Sequence, residues 1–135
     1  MTEPRVRQSR SEQDTAAIGR ELGATLAAGD VVLKGHRTLV VAPDGRTAIN
    51  RTGNPGMATG GTGDVLTGMI AAWLAQLLDA EAACKLAVYL HGMAGDLAEA
   101  DEGEVAMTSA DVAGHLGDAI MELTARRKVV NRQQE

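Results

Sequence analysis

The sequence predicts an α/β protein built in layers, and three observations carry that prediction. Short β-branched apolar runs crowd residues 31–49, helical spacing of apolar residues fills the chain on either side, and a glycine-rich loop joins the two regimes. At 135 residues the chain suits one domain with a single modest core.

Taken in order, residues 1–10 are polar and basic without periodicity and read as a disordered basic N-terminus. Ser11 is placed as an N-cap, with Asp14 three residues on as a capping-box-like partner. A helix is expected from there to about residue 28, with Ile18, Leu22 and Leu26 on one stripe, and Gly29-Asp30 breaks it. Val31-Val32-Leu33 reads as a short buried strand whose continuous apolar character favours a parallel sheet covered on both faces. Thr38 to Ala42 and Thr47 to Asn50 flank Pro43-Asp44-Gly45-Arg46, the pattern of a β-hairpin around an Asp-Gly turn.

A loop holding five glycines and Pro55 runs over residues 52–63. A helix is then expected from about Asp64 to Leu78, largely buried through Leu66, Met69, Ile70, Trp73, Leu74 and Leu77. A second, over about residues 80–100, buries Leu86, Leu90, Ala94 and Leu97. Thr108-Ser109-Ala110-Asp111 opens a third, with Val112, Leu116, Ile120 and Leu123 inward. Residues 11–124 form the domain, and residues 125–135 read as a solvated basic tail.

The net charge of −5 is unevenly spread. Arg5, Arg7 and Arg10 open the chain and Arg126, Arg127, Lys128 and Arg132 close it, while the body between Ser11 and Ala125 holds sixteen acids against six bases. An acidic body argues against a nucleic-acid partner. With no Phe, one Tyr (Tyr89) and one Trp (Trp73), base-stacking platforms are absent as well. Cys84 is the single cysteine, which excludes an intrachain disulfide and suits a reducing compartment. Inside an Ala-rich helix it reads as a small buried hydrophobe. No apolar run is long enough to span a bilayer, so no membrane partner is expected and the cytoplasm is the expected location.

The chemistry concentrates in Gly53-Asn54-Pro55-Gly56-Met57-Ala58-Thr59-Gly60-Gly61-Thr62-Gly63-Asp64. Glycines directly before a helix let several N–H groups point at one spot, and the helix adds its own unpartnered N–H groups and positive dipole end. Gly60, Gly61, Thr62 and Gly63 thus form an anion hole suited to a phosphate or a transferring phosphoryl group. It is neither a P-loop, since no Lys follows a Gly anywhere in the chain, nor a dinucleotide fingerprint, since Gly61-x-Gly63 continues to Leu66. Asp64 is then a candidate base for a hydroxyl attacking phosphorus; the bland alternative is a helix N-cap.

Lys34-Gly35-His36-Arg37-Thr38 forms a turn between strands that suits a nucleotide, although many such turns exist without one. In His91-Gly92-Met93-Ala94-Gly95-Asp96 the glycines read as packing devices, and His91 as a helix-packing or surface histidine. His36, His91 and His115 lie too far apart to form a metal set.

From Leu33 onward these residues resemble the C-terminal half of the ADP-dependent NAD(P)H-hydrate dehydratases, members of the ribokinase-like superfamily. The resemblance rests on Leu33-Lys34-Gly35 with Thr38, Pro43-x-Gly45, the stretch from Thr52 to Gly68, Leu90-His91-Gly92-x-Ala94-Gly95-Asp96, and Ser109 with Asp111. Residues 9–33 instead resemble the segment before the P-loop in the ATPase subunit of bacterial tRNA threonylcarbamoyladenosine synthesis, although no P-loop follows.

The resemblance implies a partial ribokinase-like layered fold whose N-terminal half lies outside these residues. It also implies a lyase that repairs hydrated NADH or NADPH with ADP (or ATP) and nucleotide-borne Mg²⁺. Lys34, Gly35, His36, Arg37, Thr38 and Gly63 would contact the adenine nucleotide. Asp64 and Asn54 would face the hydrated substrate, with Asp64 as the base. A ribokinase-like kinase for a small alcohol, or a nucleotide-binding fragment without turnover, are the alternatives. An incomplete sheet leaves an exposed edge, so a homo-oligomer or a companion fragment is expected.

Overall fold

The computed structural model describes residues 11–25, 29–35, 37–76 and 79–132. The expectations for residues 1–10, Leu26, His36 and Leu77 lie outside them.

The Ser11 hydroxyl accepts the Asp14 N–H at 3.1 Å and caps α1 (Glu12–Thr25), as expected. Three strands follow: β1 (Val31–Leu33), β2 (Leu39–Val41) and β3 (Thr47–Ile49). The hairpin forms where it was predicted, with Leu39 opposite Ile49 and Val41 opposite Thr47. Gly45 supplies the left-handed backbone its turn requires, at φ +84°.

The expected parallel sheet is not found. β1 runs antiparallel to β2, with Val31 opposite Val41 and Leu33 opposite Leu39, giving an antiparallel sheet in the order β1-β2-β3. Only residues 34–38 connect β1 to β2. A parallel crossover needs a dozen or more residues, so a connection this short can only reverse the chain.

Cover on both faces holds for the central strand alone: β2 is buried throughout, while β1 is half-buried. α1 lies on one face, where its Gly19 sits against Leu33 and Val41. Val32, Val40 and Ala48 point from the other face into the main core.

That core is organised by α3 (Ala80–Glu102), capped by Asp79, whose carboxylate accepts the Ala82 N–H at 2.9 Å. Ala83, Ala87, Gly92, Ala94, Gly95 and Ala98 give α3 a small-residue surface that neighbours approach closely. Met57, Met69, Met93 and Met107 fill the irregular gaps in a chain without Phe. Cys84 is buried there, and burial pushes its thiol pKa up. No helix among the described residues is long and apolar enough to cross a membrane.

Two helices depart from their predicted patterns. α2 (Thr62–Ala75) buries Leu66 and Met69, leaves Ile70 and Trp73 half-buried, and exposes Leu74 at 41%. It is therefore an amphipathic rather than a largely buried helix. The expected third helix is two: α4 (Ser109–Gly114), with a Thr108–Asp111 capping box, and α5 (Leu116–Arg132). They part at His115, whose Nδ1 lies 2.9 Å from the Asp111 carbonyl. That carbonyl also accepts the His115 backbone N–H, and glycines 114 and 117 flank the break. The break shifts the helical phase, so Ala119 is fully buried while Ile120 is 40% exposed. α5 continues through Arg126, Arg127 and Lys128, where composition alone predicts a solvated tail. Basic residues suit a helix C-terminus, and Arg126 pairs with Glu122 one turn back.

His115 Nε2 lies 3.0 Å from Asp101 Oδ2, so both ring nitrogens face acceptors and only the imidazolium can donate to both. The bond to the Asp111 carbonyl and then that to Asp101 raise the His115 pKa. The stabilisation is therefore complete below the unfolded value of about 6.5 and fades as pH rises through the higher folded value. Melting curves across this range are expected to show wild type losing its advantage over His115→Gln as pH rises. A pH-independent difference would refute the imidazolium.

Candidate functional site

The glycine loop is hung on α3 by polar contacts at its start, by close backbone approach at Thr52 and by the Met57 side chain. Asn50 Nδ2 donates to the Thr52 and Val88 carbonyls at 3.0 and 3.2 Å, and Thr52 Oγ1 donates to the Tyr89 carbonyl at 2.9 Å. The Gly53 N–H donates to both Asp96 carboxylate oxygens at 3.0 Å. Asn54 Nδ2 donates to the Gly95 carbonyl at 2.8 Å and to Asp96 Oδ1 at 3.3 Å. The glycines of α3 permit this approach: a Cβ on Gly92 would stand 2.1 Å from Thr52 Oγ1, and one on Gly95 2.2 Å from Met57 Sδ. Their reading as packing devices is borne out.

After a 3₁₀ turn at Pro55–Ala58 the loop closes on itself. Thr62, 1% exposed, donates its hydroxyl to the Met57 and Thr59 carbonyls at 2.9 and 3.0 Å. Gly61 is the N-cap of α2, at φ +89° and with Ser109 Oγ 2.6 Å from where its Cβ would be, so any side chain there is strained and must displace Ser109. The helix thus begins two residues earlier than expected. Asp64 is its third residue, exposed, and not its cap. The N–H groups of Asp64 and Val65 both bond to the Gly61 carbonyl, which leaves those of Thr62 and Gly63 outside the helical ladder at the positive end of the dipole.

The β1–β2 turn stands beside this loop. Thr38 Oγ1 accepts the Gly35 N–H and donates to the Gly35 carbonyl, closing the turn, and Arg37 takes the left-handed region at φ +55°. Lys34 reaches across: its Nζ donates to the Met57 carbonyl at 3.4 Å, and its Cδ would lie 3.8 Å from a Cβ on Gly63.

Turn, loop and α3 enclose a cavity of about 330 Å³ bordered by Lys34, Thr38, Asn50, Asn54, Met57 and His91. Gly35 and Arg37 also border it, whereas residues 60–64 stand apart from it at the start of α2. The structure therefore joins Lys34, Gly35, Arg37, Thr38 and Asn54 around one cavity, and joins that cavity to Gly63 through Lys34.

His91 is the residue that sequence reasoning underrated. It is 4% exposed, with Nε2 2.8 Å from the Thr62 carbonyl, and burial together with the nearby Lys34 charge lowers its pKa. No local signal distinguishes such a histidine from an ordinary packing one, because its partner lies 29 residues away. Among the described residues, no group of three or more His, Cys, Asp or Glu side chains could hold a metal ion.

A family model described as NAD(P)H-hydrate dehydratase matches residues 4–117. The match runs through residues 9–33, so these residues too belong to the dehydratase match and not to a separate tRNA-modifying ATPase segment. The chain is 43% identical over 123 residues to the bifunctional NAD(P)H-hydrate repair enzyme Nnr of Thermofilum pendens, covering 91% of this chain and 23% of that protein. It is 47% identical over 93 residues to the ADP-dependent (S)-NAD(P)H-hydrate dehydratase of Neisseria meningitidis, covering 68% of this chain and 31% of that one. Among solved structures, the ADP/ATP-dependent NAD(P)H-hydrate dehydratase of Bacillus subtilis, co-crystallised with ATP/Mg²⁺ and soaked with CoA, superposes with a TM-score of 0.75 at 36% identity. That superposition covers 82% of this chain and 41% of the other. The chain thus spans well under half the length of the proteins it resembles.

Proposed function

This chain belongs to the NAD(P)H-hydrate dehydratase family, and from that premise we propose that it serves the ADP-dependent dehydration of hydrated NADH or NADPH. The observation that carries the reading is the junction at Lys34, which places the strand turn and the helix-opening glycine loop side by side. A nucleotide held by residues 34–38 would then present its terminal phosphate to the N–H groups of residues 60–63. His36, which lies outside the described residues, belongs to that turn.

In this mechanism Asp64 accepts the proton of the substrate hydroxyl as that oxygen attacks phosphorus. The N–H groups of Gly61, Thr62 and Gly63 hold the charge of the transferring phosphoryl; Thr62 contributes only its amide, its hydroxyl being spent inside the loop. The phosphorylated oxygen then departs as phosphate where water would leave poorly, and the neighbouring ring carbon gives up a proton to solvent as the ring double bond forms. The balance is hydrated nucleotide plus ADP giving NAD(P)H, AMP, phosphate and a proton. With its Nδ2 tied to Gly95 and Asp96 and its Oδ1 buried, Asn54 would serve the substrate by fixing the loop against α3 and shaping the cavity wall.

Mg²⁺ takes oxygen ligands and keeps several waters beside nucleotide phosphates, so it would arrive on the nucleotide itself. That suits a site where no cluster of His, Cys, Asp or Glu among the described residues could cage an ion. When bound it would neutralise phosphate charge.

Incubation with hydrated NADH and ADP is expected to restore the nicotinamide absorbance and release AMP. Phosphorylation of a small alcohol in its place would move the assignment to a kinase. Because the chain covers under half of its structural relatives, a second reading is nucleotide binding without turnover. Calorimetric ADP binding with no dehydration identifies it. We further propose that the half-buried edge strand β1 seats a second copy or a companion segment, and that the protein works in the cytoplasm, where a buried free thiol stays reduced.

A further inference from the structure

His91 lies outside the chemistry proposed above, yet it touches the one peptide on which that chemistry turns. Its Nε2 is 2.8 Å from the Thr62 carbonyl. A carbonyl oxygen only accepts, so the ring must carry its hydrogen on Nε2. Burial and the Lys34 charge favour the neutral ring, and within the neutral ring this contact selects the Nε2–H tautomer.

The Thr62 carbonyl belongs to the peptide plane whose N–H is that of Gly63. In a trans peptide the two groups point in opposite directions within one plane, so whatever fixes the carbonyl also aims the N–H. The rest of Thr62 is already tied down, with its hydroxyl on the Met57 and Thr59 carbonyls, and Met57 is also the residue Lys34 reaches. The Thr62 carbonyl stands one turn before Leu66 in the α2 ladder, and His91 adds a side-chain donor to it from α3.

We propose that His91 is a positioning residue which, by clamping the Thr62 carbonyl through its Nε2–H, aims the Gly63 N–H at the phosphate of the bound nucleotide. This rests on reading the glycine loop as a phosphate site. The competing role is simple packing, in which ring volume matters and the donor does not.

Two variants separate these roles. His91→Gln keeps an amide donor near the Nε2 position, and His91→Leu keeps apolar bulk without a donor. The ¹⁵N spectrum of the wild-type imidazole is expected to show the Nε2–H tautomer at neutral pH. ADP affinity, measured by calorimetry, is expected to fall about 10- to 100-fold in the Leu variant and to recover most of that loss in the Gln variant. An Nδ1–H tautomer, Leu binding ADP as wild type does, or Gln behaving like Leu would each overturn the proposal.

The Gly63 amide resonance provides a readout that needs no nucleotide. It should shift in Leu and return in Gln. If wild type fails to bind ADP the phosphate reading falls, while the clamp itself stands or falls on that resonance.

Discussion

Asp64→Asn is expected to lower the rate of NAD(P)H-hydrate dehydration by on the order of 10²- to 10⁴-fold, the usual contribution of a positioned general base. The nucleotide contacts assigned to residues 34–38 do not involve Asp64, so ADP affinity should change little. The fold should also survive, because Asp64 is an exposed third residue of α2 and Gly61, not Asp64, is the cap. Loss of the carboxylate near the helix dipole accounts for only about 0.3–1 kcal/mol. Initial rates on hydrated NADH and ADP calorimetry on the same preparation test the two halves together. A variant that turns over normally, or one that loses ADP binding in proportion to rate, would remove Asp64 from the role of base.

The second large effect lies on α3. Gly92→Ala would place a methyl group 2.1 Å from Thr52 Oγ1 and 2.7 Å from the Thr52 carbonyl carbon and oxygen. Rotating the threonine side chain cannot relieve a clash with its backbone, so the start of the loop must move away from α3. That movement threatens the Thr52–Tyr89 bond and the double bond of the Gly53 N–H to Asp96. A loss of about 1–3 kcal/mol is expected, the range for overpacking a tight site. Gly95→Ala is the internal control, since its methyl would first meet the Met57 side chain at Sδ, Cε and Cγ, which can turn aside where a backbone cannot. Denaturant unfolding should therefore rank Gly92→Ala as more damaging than Gly95→Ala. The reverse order would mean that the loop yields more easily than the methionine.

Much of the candidate site was legible before any tertiary contact was known. The run from Gly53 to Asp64 announces an anion loop because its signals are local: glycines in unusual number, directly before a helical apolar period. The Asp-Gly hairpin and the Ser11 cap were legible for the same reason. The start of α2 was misjudged by two residues because a left-handed Gly61 can cap a helix that then accepts Thr62 and Gly63 into its first turn. Leu74 and Ile120 were expected inside on periodicity alone, yet periodicity says which residues share a face and not how far the neighbours extend to cover it.

The sequence by itself determined the order of the elements, the position of the glycine loop and the candidacy of Asp64, because backbone preference, turn chemistry and helical spacing all act within a few residues. Only the tertiary structure decided that β1 turns back antiparallel on β2, that Lys34 bridges the strand turn to the loop, and that a buried histidine grips the Thr62 carbonyl. Lys34 and Met57 are 23 residues apart, and His91 and Thr62 are 29. Contacts over such separations depend on how the chain closes its core, which no stretch of sequence carries alone.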